Sequence, residues 1–211
     1  MKNVLKVLLI AAVAGLAYIS YRSIMDPIEF SEVRAAREKQ IVARLIDIRT
    51  AQIEYRNNHE GAYADNFDSL INFIMNDSLT MERKLVDEDD SVAMAQLKKQ
   101  GKKNVEQYNI AVIDTIFNPR KLSKEDVQNL RYIPHTNNVE FILEAAKVMT
   151  GANVMVPVVE CRAPYKYYLD TVAYRQNIIN LIDDRVNNFN AYAGLKFGSM
   201  EGSNNEAGNW E

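Results

Sequence analysis

The chain of 211 residues has one cysteine, two histidines, one tryptophan, five prolines and eight glycines. Each shortage removes a class of protein. A lone Cys161 closes no internal disulfide and supplies no thiolate set for structural zinc. His59 and His135 sit far apart in sequence and without a partner motif, so surface positions are the ordinary reading and a metal or base role the less usual one. Sparse Gly and Pro argue against a disordered chain. Basic excess is also missing. The formal charge is −3, which argues against a nucleic-acid binder. No P-loop, dinucleotide fingerprint or zinc spacing occurs. Gly198-Ser-Met-Glu-Gly202 imitates a nucleophile elbow, but its Ser is off the central position. No catalytic residue, cofactor site or metal site is expected.

What is present starts at the N-terminus. Val4 to Ile19 is apolar except for Lys6. The anchor residues are Val4, Leu5, Leu8, Leu9, Ile10, Leu16, Tyr18 and Ile19. A span needs roughly 20 residues, and Lys6 can reach the interface by its long stem. Tyr18 and Tyr21 fall where interfacial aromatics belong, and Lys2 and Lys6 favour a cytoplasmic N-terminus. Three readings are open: a retained anchor, a signal segment cleaved after Ala12-Val-Ala14, and a buried core helix. No Cys near residue 20 offers a lipid attachment point.

Asp26-Pro27-Ile28-Glu29 suits a helix start, with Asp26 as cap, Pro27 in the first turn and Glu29 reaching back. Either a second helix begins here or one long helix kinks. Beyond it, Phe30, Val33, Ile41, Leu45, Ile48, Gln52 and Tyr55 recur mostly at helical steps. Arg34, Arg37, Glu38, Lys39, Arg44, Asp47, Arg49, Glu54 and Arg56 cover the other faces. The stripe from Ile41 onward is expected to pack on the protein's own sheet. The stretch Phe30 to Lys39, with fewer large apolar residues, is expected to project toward another subunit or solvent. Gly61 is placed to end the helix in the left-handed conformation, and Asp65-Asn66 to cap a short helix carrying Phe67, Leu70, Ile71, Phe73 and Ile74.

Leu45-Ile-Asp-Ile-Arg-Thr-Ala-Gln52, then Tyr55, then Gly61-Ala-Tyr63, then Leu70, resembles the major pseudopilins of type II secretion and related type IV pilin-like proteins. The resemblance covers about the first 75 residues and its motif is short. It implies a long N-terminal helix with a transmembrane half and an amphipathic half packed on a sheet. The chain has no Gly followed by a Phe-Thr-Leu-Ile-Glu-like start: Gly15 precedes Leu-Ala-Tyr-Ile. An uncleaved membrane protein with a pilin-like fold is therefore expected.

The remainder reads as mixed α+β. Leu79 to Val86 and Tyr108 to Phe117 are predicted strands, the latter dense in β-branched residues. Asp87-Glu-Asp-Asp90 caps a helix through about Gln100, the bland alternative to a calcium site, and Gly101 to Asn104 is a turn. Ser123-Lys-Glu-Asp126 opens a short helix to about Leu130. Val139 to Met149 and Asn153 to Cys161 form a hairpin around Thr150-Gly151-Ala152, which Tyr165 to Leu169 extends or follows. A late helix carries Ile178 to Val186, and Leu195 to Phe197 is an edge strand. The expected organisation is an anchor (1–25), an amphipathic rod (26–60), an extracytoplasmic head (61–200) and a polar tail (201–211), docked or free.

The expected function is a membrane-anchored, envelope-facing structural or scaffold subunit, in secretion or surface assembly. Its partners would be the lipid bilayer, and other envelope proteins or further copies through the rod; no nucleic acid. Its expected place is the bacterial inner membrane, single-pass, with the head outside the cytoplasm. The alternative is a secreted or tethered ligand-binding module without catalytic activity.

Overall fold

The computed structural model describes residues 2–87, 89, 91–99, 101, 103–117, 120–151 and 153–211. One helix, α1 (Lys2–Asn58), runs through anchor and rod without interruption. At 1.5 Å per residue its 57 residues span about 85 Å. Pro27 lies inside it. Lacking an N–H, Pro27 deprives the Ser23 carbonyl of its helical partner. Helix formation on both sides overrides that loss, so the segment at Asp26 starts no new element. The helix ends where Gly61, at φ +83°, donates its N–H to the Arg56 carbonyl at 3.0 Å.

Helix α2 (Phe67–Asn76) follows, capped by the Asn66 side chain accepting from the Ser69 N–H at 2.7 Å. Phe67, Leu70, Phe73 and Ile74 form its buried stripe. Strands β1 (Ser78–Lys84) and β2 (Val105–Ala111) make an antiparallel ribbon, pairing Ser78 with Ala111 and Lys84 with Val105. Helix α3 (Ser91–Lys99) lies between them in sequence. Short helices α4 (Val112–Ile116) and α5 (Lys124–Gln128) come next, α5 with a Ser123–Asp126 capping box. Strands β3 (Ile142–Met149), β4 (Met155–Pro164) and β5 (Gly194–Gly198) form a second antiparallel sheet in that order. Between β4 and β5 run α6 (Tyr165–Tyr168), α7 (Arg175–Asp183) and a π turn, Asp184–Asn188. The expected α+β architecture, a long N-terminal helix packed on antiparallel strands, is the one observed, though the strands form two sheets.

Several expectations need correcting. Tyr108 to Phe117 is not one strand. The chain leaves β2 at Ala111 and coils into α4, where the Val112 N–H bonds the Asp77 carbonyl at 3.1 Å and the Thr115 hydroxyl bonds back to Ala111. Of the two readings for Tyr165 to Leu169, the stretch follows β4 and does not extend it: it forms a helical turn with Tyr165 and Tyr168 buried. Strand β3 begins at Ile142, because Val139 and Phe141 pair with Ile133 and Arg131 instead. The expected cap Glu88 and Asp90, the helix end Gln100, Lys102 of the turn and Ala152 of the hairpin lie outside the described residues.

The core forms along the upper half of α1. Ile41, Leu45, Ile48 and Ala51 are fully buried, together with Leu70, Ile74, Val112, Leu130, Cys161 and Phe197. Burying the three large aliphatic side chains of α1 contributes roughly 5–9 kcal/mol. The tail is docked. Asn209 N–H bonds the Lys196 carbonyl, and Gly208 forms a bridge with Phe197 on β5. Gly198, at φ +77°, lets β5 approach the Val159 backbone so closely that any Cβ would collide with its carbonyl.

Candidate functional site

The lower half of α1 is bare. Val4, Leu5, Leu8, Leu9, Ile10, Leu16, Tyr18 and Ile19 are each between 63 and 72% exposed. No residue in the most apolar window is buried by the head. The buried-core-helix reading is thereby corrected, since a core helix would be covered by its own protein. Among the described residues this is a single helix long and apolar enough to cross a membrane. Arg22 and Asp26 pair at 3.1 Å within the bare half, where Ile24 and Ile28 are still exposed.

The upper half is clasped from Glu29 onward. Phe30 is 8% exposed and packs on Tyr174 with ring centroids 5.4 Å apart. The Tyr174 hydroxyl donates to Glu29 at 3.2 Å. Phe30 to Lys39 therefore does not project freely, because Tyr165, Tyr168 and Tyr174 cover one side of it. Arg34 pairs with Glu38 at 2.7 Å and lies over the Tyr165 ring at 5.3 Å. Arg37 donates to the Tyr168 carbonyl. Burial, and then the nearby Glu38 carboxylate, push the Tyr168 phenol well above its ordinary range. Val33 is half-buried on this stretch.

Higher up, Arg44 donates to the carbonyls of Asn129 (3.1 Å) and Tyr132 (2.8 Å). Asp47 pairs with Arg120, yet burial outweighs that cation and raises its carboxyl above the usual value. Gln52, fully buried, exchanges two bonds with the Ala64 backbone, donating at 2.9 Å and accepting at 3.0 Å. Tyr55 stacks on His59 at 3.8 Å and meets Phe73 edge-on. Arg56 pairs with the buried Glu206 at 2.8 Å, and the Tyr63 hydroxyl also donates to Glu206. Arg49 pairs with Glu211 at 2.5 Å, donates to the Glu206 carbonyl at 3.3 Å and lies 5.8 Å from the Trp210 ring.

Of the sequence-derived stripe, Phe30, Ile41, Leu45 and Ile48 are buried and Tyr55 is half-buried, all facing the protein's own head. The five arginines at 34, 37, 44, 49 and 56 lie on the faces beside the apolar stripe. Four of them clasp separate head segments or the tail, and Arg34 lies over Tyr165. The sequence signal was the choice of Arg over Lys: a planar fork serves several carbonyls and carboxylates at once.

The residues considered for chemistry stay apart from one another. His59 is held by Tyr55, with Nδ1 2.9 Å from the Tyr55 carbonyl. His135 is exposed on a turn at φ +64°. Cys161 is buried on β4 and its thiol is pushed far up by burial. Among the described residues no group of three His, Cys, Asp or Glu side chains could hold a metal ion. An open cleft of about 400 Å³ beside α1 mixes the cations Arg44, Arg120 and Lys121 with the carboxylates Asp47 and Asp126. Protein-family models, curated proteins and solved structures were compared with the chain, and none matches. The long apolar helix is compatible with a single-pass membrane protein.

Proposed function

We propose that the chain is a single-pass, membrane-anchored scaffold subunit of pilin-like architecture, without catalytic activity. The lower half of α1 crosses a bacterial inner membrane with its N-terminus in the cytoplasm. The upper half carries the head on the opposite side, where it serves in secretion or surface assembly. The observation that supports this reading is the division of one unbroken helix at Glu29. Below it the apolar side chains are uncovered; above it they are packed and clasped. A bare apolar rod of that length has a large cost in water, which a bilayer removes. Lys2 and Lys6 at the start of α1 support the orientation. Partners would be other envelope proteins or further copies of the chain, met through surfaces the head leaves open.

The secreted or tethered binding module remains the second reading on one observation. Cleavage after Ala14 would remove only bare helix and leave every contact from Glu29 onward intact. N-terminal sequencing of the membrane-extracted protein separates the two. Retention of Lys2 and Lys6, with the head digested only from the outer side, is the expected result. A soluble form beginning at Gly15 overturns the anchor.

A further inference from the structure

An exposed apolar patch starts at the loop whose Tyr174 meets α1 at Glu29 and Phe30. Val172 is 89% exposed, Ile179 48%, Val186 46% and Phe189 65%. All four belong to the stretch 165–189, from α6 to the residue just past the π turn. Thr171, Val172, Arg175, Ile178 and Ile179 line one open groove, with Ile178 forming its buried floor. The turn is built to hold Val172 outward. The Asp170 carboxylate accepts the N–H groups of Val172 and Ala173, both at 2.9 Å. Among the described residues Arg175 has no ion pair or side-chain hydrogen bond.

The position of the loop 171–174 along α1 identifies what it faces. Tyr174, two residues from Val172, makes its hydrogen bond to Glu29. Glu29 is three residues, about 4.5 Å, beyond Asp26, and seven residues, about 10.5 Å, beyond Arg22. The Arg22–Asp26 pair brings the first charge above the apolar run. The headgroup layer on each side of a bilayer is about 5–7 Å thick. The loop 171–174 therefore hangs at headgroup level when α1 spans. Charge in this stretch is balanced, with Lys166, Arg175 and Arg185 against Asp170, Asp183 and Asp184. Asp183 and Asp184 are engaged with Asn187 and Asn188. A balanced stretch gives little attraction to anionic lipid, so apolar insertion drives the contact.

We propose that the loop 171–174 and the exposed face of α7 insert shallowly into the leaflet through which α1 leaves the membrane. This rests on the anchor reading above. It gives the head a second lipid contact, fixing its tilt as well as its attachment. Side chains of this kind settle about 5–10 Å into the headgroup–acyl boundary.

The test uses the full chain in phosphatidylcholine vesicles carrying lipid spin labels at shallow or deep acyl positions. Single variants Val172→Trp and Ile179→Trp place an indole in the patch; Tyr18→Trp places one in the anchor. Trp210 beside Arg49 is the internal reference, 27 residues or about 40 Å along α1 from Arg22. The expected result is blue-shifted emission from both patch variants, quenched more by the shallow label than by the deep one, with Trp210 unquenched. Neither quenching nor salt dependence should change when anionic lipid is added. Tyr18→Trp quenched with both patch variants unquenched overturns the docking and leaves the anchor standing. No quenching in any variant overturns the anchor and the docking with it. Blue-shifted emission that follows protein concentration and ignores the lipid labels assigns the patch to a second copy of this chain and overturns the lipid contact.

Discussion

Gln52 is the point at which removal of one side chain is most revealing. It is fully buried in α1, and its amide supplies both a donor and an acceptor to the backbone of Ala64, itself 1% exposed. Replacing Gln52 by Ala leaves an N–H and a C=O of residue 64 buried without partners. Each such group costs about 1–3 kcal/mol, so the loss should reach about 2–6 kcal/mol. Helix propensity works slightly the other way, since Ala is a better helix former by a few tenths of a kcal/mol. Gln52→Met keeps the volume and removes both bonds. It should lose most of the same stability, which separates hydrogen bonding from cavity formation. The assay is thermal unfolding of the full chain in detergent, followed by Trp210 fluorescence. For a chain of this size each kcal/mol lowers the midpoint by roughly 2–4 °C, so a fall of about 4–24 °C is expected. If both variants melt within about 1 °C of the parent, the Ala64 backbone has other partners and the reasoning fails.

Gly198→Ala should be destabilised by at least about 2 kcal/mol, because φ +77° and the Val159 carbonyl both oppose a Cβ; urea unfolding checks it. Glu206→Ala should release the tail, cost about 1–2 kcal/mol and expose residues beyond Ser203 to protease, since Arg56 and Tyr63 lose their shared carboxylate. Acid should weaken the head through three depressed carboxyls. Asp126 is lowered by the Ser123 hydroxyl and N–H, Asp170 by the N–H groups of Ala173 and Val172, and Glu211 by Arg49. Folded values below the unfolded ones mean that the unfolded state binds more protons. The stability they add is therefore complete above the ordinary carboxylate range near pH 4 and is lost as pH falls through the folded values. Carboxyl NMR titration should place all three midpoints below ordinary values, and Asp126→Asn should flatten part of the stability profile.

Much of the frame was legible because its signals are local. Ser123 and Asp126 form the capping box their spacing announces, Asn66 caps α2, Gly61 ends α1, and Thr150 to Val154 turns the hairpin. Elements decided by distant neighbours were not. Val112, Ile113 and Ile116 have strand preferences, but a bond from Val112 to Asp77 and a buried Val112 side chain draw them into α4. Phe30 reads as the start of a projecting face, yet it is buried and packs on Tyr174, 144 residues away. The docked tail was equally hidden, since Arg49 and Arg56 give no sequence sign of meeting Glu211 and Glu206.

The helix that passes Pro27 without interruption works as a keyed shaft. With no swivel between the lower half and the head, rotation below fixes the compass bearing above. Each residue inserted between Asp26 and Glu29 would turn the head by about 100° and lift it about 1.5 Å. On the anchor reading, a neighbour approaching in the membrane plane would meet one face of the head and not the others, and inserting two residues would present it with nearly the opposite side.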